Sequence, residues 1–99
     1  MIAMALYHLH PFTDTEVAGA PEEAGVYVLF QVENPLHVDG AANLRAKLKL
    51  EKVRLPQATH FAVETGYKSG REVAKRVEKV KKELGRVRVE WFAGPGTAR

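Results

Sequence analysis

The residues of this chain best equipped for chemistry are its cations. Lys47, Lys49, Lys52, Arg54, Lys75, Arg76, Lys79 and Lys82 crowd into two short stretches. Such residues can track a phosphate backbone, with sequence-independent contacts, because a point charge on a phosphate carries no base information. The charge is also segregated. Residues 1–44 hold six acids and no Lys or Arg, whereas residues 45–88 hold fourteen of the fifteen Lys and Arg against five acids. A split of this kind marks a polyanion-binding surface, a pair of solvated helices, or an acidic half that meets the basic half of a second copy. No aromatic residues interleave the basic ones, which argues against a surface that stacks single-stranded bases. His8 and His10 stand two apart and would share one face of a strand, where a third ligand would be needed to hold a transition metal. His60 has no such neighbour. The chain has no cysteine, so disulfides and thiolate zinc sites are excluded, and any metal falls to carboxylate or imidazole.

These residues need a scaffold, and the sequence outlines one. A chain of 99 residues, 45% of them apolar, fits one small domain spanning 1–99. The opening "MIAMALYHLH" lacks a basic leader and a long apolar run, so neither a signal peptide nor a membrane span is expected, and cytoplasm is the default location. Few amides beside many Lys, Arg and Glu point toward a heat-adapted source.

"IAMALYHL" reads as an edge strand and residues 10–25 as loop with one helical turn. "VYVLFQV" alternates as the surest strand: Val26, Val28, Phe30 and Val32 take one face, and Tyr27 and Leu29 the other. After the Glu33-Asn34-Pro35 turn, "LHV" returns as a second strand. Asp39 is placed to cap a helix carrying Ala41, Leu44, Leu48 and Leu55 on one stripe, which Pro56 stops. "THFAVET" is a third strand. Ser69 and Glu72 form a capping box for a helix with a Val73, Val77, Val80 and Leu84 stripe, ended by Gly85. "RVRVEWF" reads as a last strand and residues 93–99 as a frayed tail. The fold class is α+β, a small, mainly antiparallel sheet flanked by two helices.

Two pieces of this outline, "PEEAGVYVLF" (21–30) and "LHVDGAANLRAKL" (36–48), together resemble the GIY-YIG nuclease domain, in particular the N-terminal domain of the excision-repair nuclease. There a Gly-Val/Ile-Tyr strand leads to a strand ending in Tyr-Val/Ile-Gly, and then to a helix bearing Asn-Leu-Arg. The matches are Gly25-Val26-Tyr27, Val38, Ala41, Asn43-Leu44-Arg45 and Leu48, and the resemblance spans roughly residues 21–84. It implies a catalytic set of Tyr27 and Arg45 beside a scissile phosphate, with Glu78 on the second helix holding one divalent cation such as Mg2+. His37 stands where the family has its second tyrosine and can serve as a general base. Asp39 replaces the motif's glycine and Gly40 the following lysine. Glu64 is a spare carboxylate without family precedent. Duller roles stand beside these. Tyr27 can be a core aromatic, Arg45 a helix-surface partner, and Glu78 a solvated acid paired with Lys82.

Three functions therefore remain open. The chain is a metal-dependent endonuclease, a nucleic-acid-binding relative that does not cut DNA or RNA, or a protein-interaction or oligomerisation module on the same scaffold.

Overall fold

A computed structural model of the chain describes residues 8–87, the last three as backbone alone. The elements run β1 (His10–Pro11), α1 (Asp14–Ala18), β2 (Gly25–Gln31), β3 (Asn34–Ala41), α2 (Leu44–Arg54), β4 (His60–Glu64) and α3 (Gly70–Val87). The four strands form one antiparallel sheet in the order β1-β4-β2-β3. The fold is α+β, as expected, and the helical turn read within residues 10–25 is the short helix α1.

Strict alternation along β2 builds two cores. Val26, Val28 and Phe30 face one side with Val38 and Ala62, and the Val73, Val77, Val80 and Leu84 stripe of α3 covers them. Tyr27 and Leu29 face the other side with Phe61, under Leu44 and Leu48 of α2 and Val17 of α1. Both faces of β2 are sealed, so its residues from Gly25 to Phe30 are all buried. The close approach explains Gly25. A Cβ there would lie 2.2 Å from the Glu64 carbonyl oxygen and 2.8 Å from Leu44 Cδ1. Gly40 is held for a similar reason, since its Cβ would meet Val73 Cγ1 at 2.4 Å.

Several boundaries differ from those outlined by the sequence. Asp39 does not cap α2. β3 runs on to Ala41, and Asp39 Oδ1 instead accepts from the Gly40 amide at 2.8 Å. Asn43 is the N-cap, accepting from the Ala46 amide at 3.1 Å. Carbonyls of the preceding loop take the next two amides, Leu44 N–H donating to Glu23 and Arg45 N–H to Pro21. Val32 does not join the face of Val26, Val28 and Phe30. It sits in the hairpin turn at φ 60°, exposed, where a glycine would be unstrained. The Ser69 hydroxyl does accept from the Glu72 amide, but Glu72 answers to the Lys68 amide rather than to Ser69. Finally, α3 passes Gly85 and continues to Val87, so residues 86 and 87 are helical rather than extended. Residues 2–7 of the expected first strand, 88–92 of the expected last strand and the tail lie outside the described residues.

Candidate functional site

The β2–β3 ladder sets the site. Tyr27 pairs with Asp39 and Leu29 with His37, so all four side chains stand on the α2 side of the sheet. The register slips between Leu29 and Phe30, because Phe30 pairs with Pro35 and leaves Leu36 as an extra residue. Leu36 packs into the α2-side core. The bulge thus puts Leu36 and His37 on the same side, which a regular strand forbids. Tyr27 and His37 become diagonal neighbours with ring centroids 5.9 Å apart.

From above, α2 lowers Glu51 onto this pair. Leu44, Leu48 and Glu51 are the buried residues of the helix, and Glu51 is 0% exposed. Its Oε2 accepts from the Tyr27 hydroxyl. Arg54 grips the same carboxylate with both arms, Nε to Oε1 at 2.8 Å and Nη2 to Oε2 at 3.2 Å. His37 Nε2 lies 3.4 Å from Glu51 Oε2 and 4.0 Å from Asp39 Oδ2. That nitrogen is buried and makes no hydrogen bond.

Protonation follows from these contacts. Burial acts to raise the pKa of Glu51, but the bonds from Arg54 and Tyr27 outweigh it, and the carboxyl ends below its ordinary range. Tyr27 is driven well above the usual phenol range, by burial first and by Glu51 second. Its hydroxyl therefore stays protonated as the donor that steadies Glu51. Burial lowers the pKa of His37, against the pull of Glu51 and Asp39 and with help from Arg54 and Lys81. The imidazole is neutral at neutral pH.

Of the residues singled out from sequence, Tyr27 and His37 come together and Arg45 stands apart. Arg45 Nε donates to the Ala20 carbonyl at 2.9 Å, and Nη1 lies 3.4 Å from Glu22. The Asn-Leu-Arg triplet has a structural task at each position: cap, core and strap to the loop before β2. Glu78 is exposed on α3, across the sheet from Tyr27. It lines a shallow groove of about 270 Å³ with Asp39, Gly40, Val77 and Lys81. Its expected ion pair with Lys82 does not form. Glu64 is taken by Arg76, with Nε to Oε1 at 2.7 Å, and by the Tyr67 hydroxyl. Burial and Glu64 push the Tyr67 pKa up to about 12.

The basic residues divide as sharply. Lys52 donates to the Phe12 carbonyl at 2.9 Å, and Arg54 and Arg76 are bound to Glu51 and Glu64. Lys47, Lys49, Lys75, Lys79 and Lys82 have no ion-pair partner among the described residues. The first two belong to α2 and the others to α3, on opposite faces of the sheet. Arg71, not among the cations singled out from sequence, joins the α3 set. The rings of His8 and His10 lie 5.0 Å apart, with Glu16 3.8 Å from His10 Nδ1. Among the described residues, no group of three His, Cys, Asp or Glu is placed to hold a metal ion.

Sequence reasoning missed Glu51. The signal was present: the stripe of Leu44, Leu48 and Leu55 runs through position 51, so a carboxylate was written into an apolar face. Arg54 three residues on is its counterion.

No family model and no curated protein matches the chain. Among solved structures, it is similar to the GIY-YIG N-terminal endonuclease domain of UvrC from Thermotoga maritima, solved as a point mutant bound to its catalytic divalent cation. The TM-score is 0.61 at 19% identity, over 71% of this chain and 86% of that one. The likeness is one of fold, and the chain has a GIY-YIG-like, nuclease-like architecture. Among the described residues, no helix is long and apolar enough to cross a membrane.

Proposed function

We propose that this domain binds nucleic acid through the phosphate backbone, on the solvent face of α3. The observation that carries the reading is a stripe of exposed cations, Arg71, Lys75, Lys79 and Lys82, without ion-pair partners among the described residues. Steps of four, four and three residues keep them on one line, opposite the Val73, Val77, Val80 and Leu84 stripe. At ~1.5 Å of rise per residue the line is about 16 Å long. Duplex DNA offers one negative charge per ~1.7 Å of axis, so the stripe can meet several phosphates and release their counterions. Lys47 and Lys49 lie on the far side of the sheet and do not extend this line.

Phosphodiester hydrolysis is the second reading, favoured by the nuclease-like fold and by the meeting of Tyr27 with His37. Arg45 would serve it only by leaving the Ala20 carbonyl and Glu22. The carboxylate open to a divalent cation such as Mg2+ is Glu78, on the α3 side of the sheet. Glu51 and Glu64 are committed to Arg54 and Arg76, whereas the Glu78 carboxylate is exposed and unpaired among the described residues. Mg2+ is commonly held by one or two carboxylates with water completing its shell. Once bound it would neutralise an acid that borders the α3 stripe and would offer charge to phosphoryl oxygens.

The test is binding of labelled single- and double-stranded DNA and RNA across a salt series, with Mg2+ present or chelated, and product gels on the same samples. Affinity for duplex that falls steeply with salt supports the reading. Cleavage confined to the Mg2+ samples supports the second one. Negligible affinity at low salt overturns both and leaves a protein partner.

A further inference from the structure

We propose that the outer face of α2 is a docking site for an acidic amphipathic helix of a partner protein. The site is independent of phosphate binding on α3, because the two helices lie on opposite faces of the sheet.

α2 is apolar on two sides. Leu44 and Leu48 face the sheet, as a helix laid on a core requires. Ala46, Leu50 and Val53 form a second line on the opposite side, at steps of four and three residues, and all three are exposed. Leu50 is 66% exposed and Val53 84%, and neither joins either core. By contrast, α3 exposes no large apolar side chain among the described residues. One exposed hydrophobe is ordinary surface, but two neighbours on one helical line form a patch.

The patch continues into a groove. With Val17 and Ala18 of α1, Val53 lines a depression of about 460 Å³ between α1 and α2, rimmed by Asp14, Lys49 and Lys52. An apolar line on one helix, widened by small and branched side chains of the next, is the form of surface that the apolar face of a third helix fills.

Charge selects the occupant. Lys49 borders the line on one side, three residues from Ala46 and four from Val53, and Lys47 borders it on the other, three residues before Leu50. Neither lysine has an ion-pair partner among the described residues, whereas Lys52 and Arg54 are engaged by the Phe12 carbonyl and Glu51. Asp14, the acid of the groove, lies 4.0 Å from Lys52 and is answered there. An occupant must therefore bring apolar side chains for Leu50 and Val53 and carboxylates on both flanks for Lys47 and Lys49. A phosphate backbone would satisfy the lysines but leave the apolar line in water. A second copy laid α2 against α2 would set lysines against lysines. An acidic amphipathic helix meets both demands, with charge steering the encounter and the apolar line holding it.

The probe is a display library of helical peptides with large apolar residues at four-and-three spacing and flanking positions varied among Glu, Gln and Lys, selected against the full chain. The selected sequences should carry Glu on both flanks and bind with a dissociation constant on the order of 10 µM. Leu50→Ala with Val53→Ala should weaken binding about tenfold or more. Both positions are exposed, so this variant keeps its fold and its thermal midpoint. Lys47→Gln with Lys49→Gln should weaken binding and flatten its salt dependence. Amide shifts in 15N NMR should map to α1 and α2 and spare α3, and saturating duplex DNA should not displace the peptide. The absence of any binder, equal selection of Gln or Lys on the flanks, or binders indifferent to the Leu50 and Val53 changes overturns the proposal. So do shifts on α3 or displacement by duplex. Self-association in sedimentation that the Leu50 and Val53 changes abolish would assign the face to a second copy instead. Binding to anionic phospholipid vesicles with the same sensitivity would assign it to a membrane surface. Failure of the phosphate-binding reading would appear differently, as lost duplex affinity with peptide binding unchanged.

Discussion

Replacing Tyr27 with Phe removes one oxygen from the centre of the site and keeps the ring that packs against Leu29, Leu44 and Leu48. Both Tyr27 and Glu51 are 0% exposed, so no water takes the place of the lost donor. A hydrogen bond to a charged group contributes about 1.5–3 kcal/mol. Arg54 stays on the carboxylate, which keeps the charge compensated and favours the lower half of that range. The expected loss is about 2 kcal/mol, or a fall in Tm of roughly 8–16 °C for a domain of this size. The loss should also depend on pH. Glu51 has a depressed folded pKa, so its contribution is fully present above the unfolded value and disappears as pH falls through the folded one. His37, also lowered, weakens both proteins alike as pH falls and cancels from the difference between them. Urea unfolding of both proteins measures the difference, at neutral pH and at the most acidic pH where each still unfolds in one transition. A loss below about 0.5 kcal/mol at neutral pH, or one that does not shrink in acid, would refute the claim that the phenol serves an ionised Glu51.

Four further outcomes are expected. Gly25→Ala should cost about 3 kcal/mol or more, seen as a collapse of the urea midpoint, since its Cβ meets a carbonyl in a central ladder that cannot move aside. Val32→Gly should raise stability by about 1 kcal/mol, because the hairpin turn places a β-branched residue at φ 60°. In the salt series, Lys75→Gln with Lys79→Gln should reduce the slope of log affinity against log salt by about 1.8, at ~0.9 per phosphate contact on B-DNA. The matching Lys47→Gln and Lys49→Gln pair should leave it unchanged. Arg45→Ala should cost less than about 1 kcal/mol by thermal unfolding, since its partners are a carbonyl and an exposed acid.

Much of the scaffold was legible in the chain itself. Period-two alternation along residues 26–30 determines two buried faces. Period-3.6 stripes determine which side of each helix meets the sheet, because burial of apolar surface is local in its demands on spacing. Boundaries were less legible where a polar side chain had several backbone amides within reach. Asp39 and Asn43 are both competent caps, and the length of β3 chose between them. Likewise Gly85 can end a helix but does not require it to end.

The site is another matter. Sequence alone singled out Tyr27 and His37, which the structure brings side by side, and determined that the second half of the chain is basic. It had no means of counting which cations were already spent. Arg45, Lys52, Arg54 and Arg76 each found an internal acceptor, three of them far away in sequence. Nor does a list of charges say that α2 and α3 face away from each other across a sheet. Most of all, an acid on an apolar stripe is unfavourable until its partners are known. The phenol that steadies Glu51 comes from a strand 24 residues earlier, and the imidazole beside it is delivered by a bulge that only strand pairing creates. Local pattern decides what a residue can bury; only the packed sheet and helix decide what it is buried against.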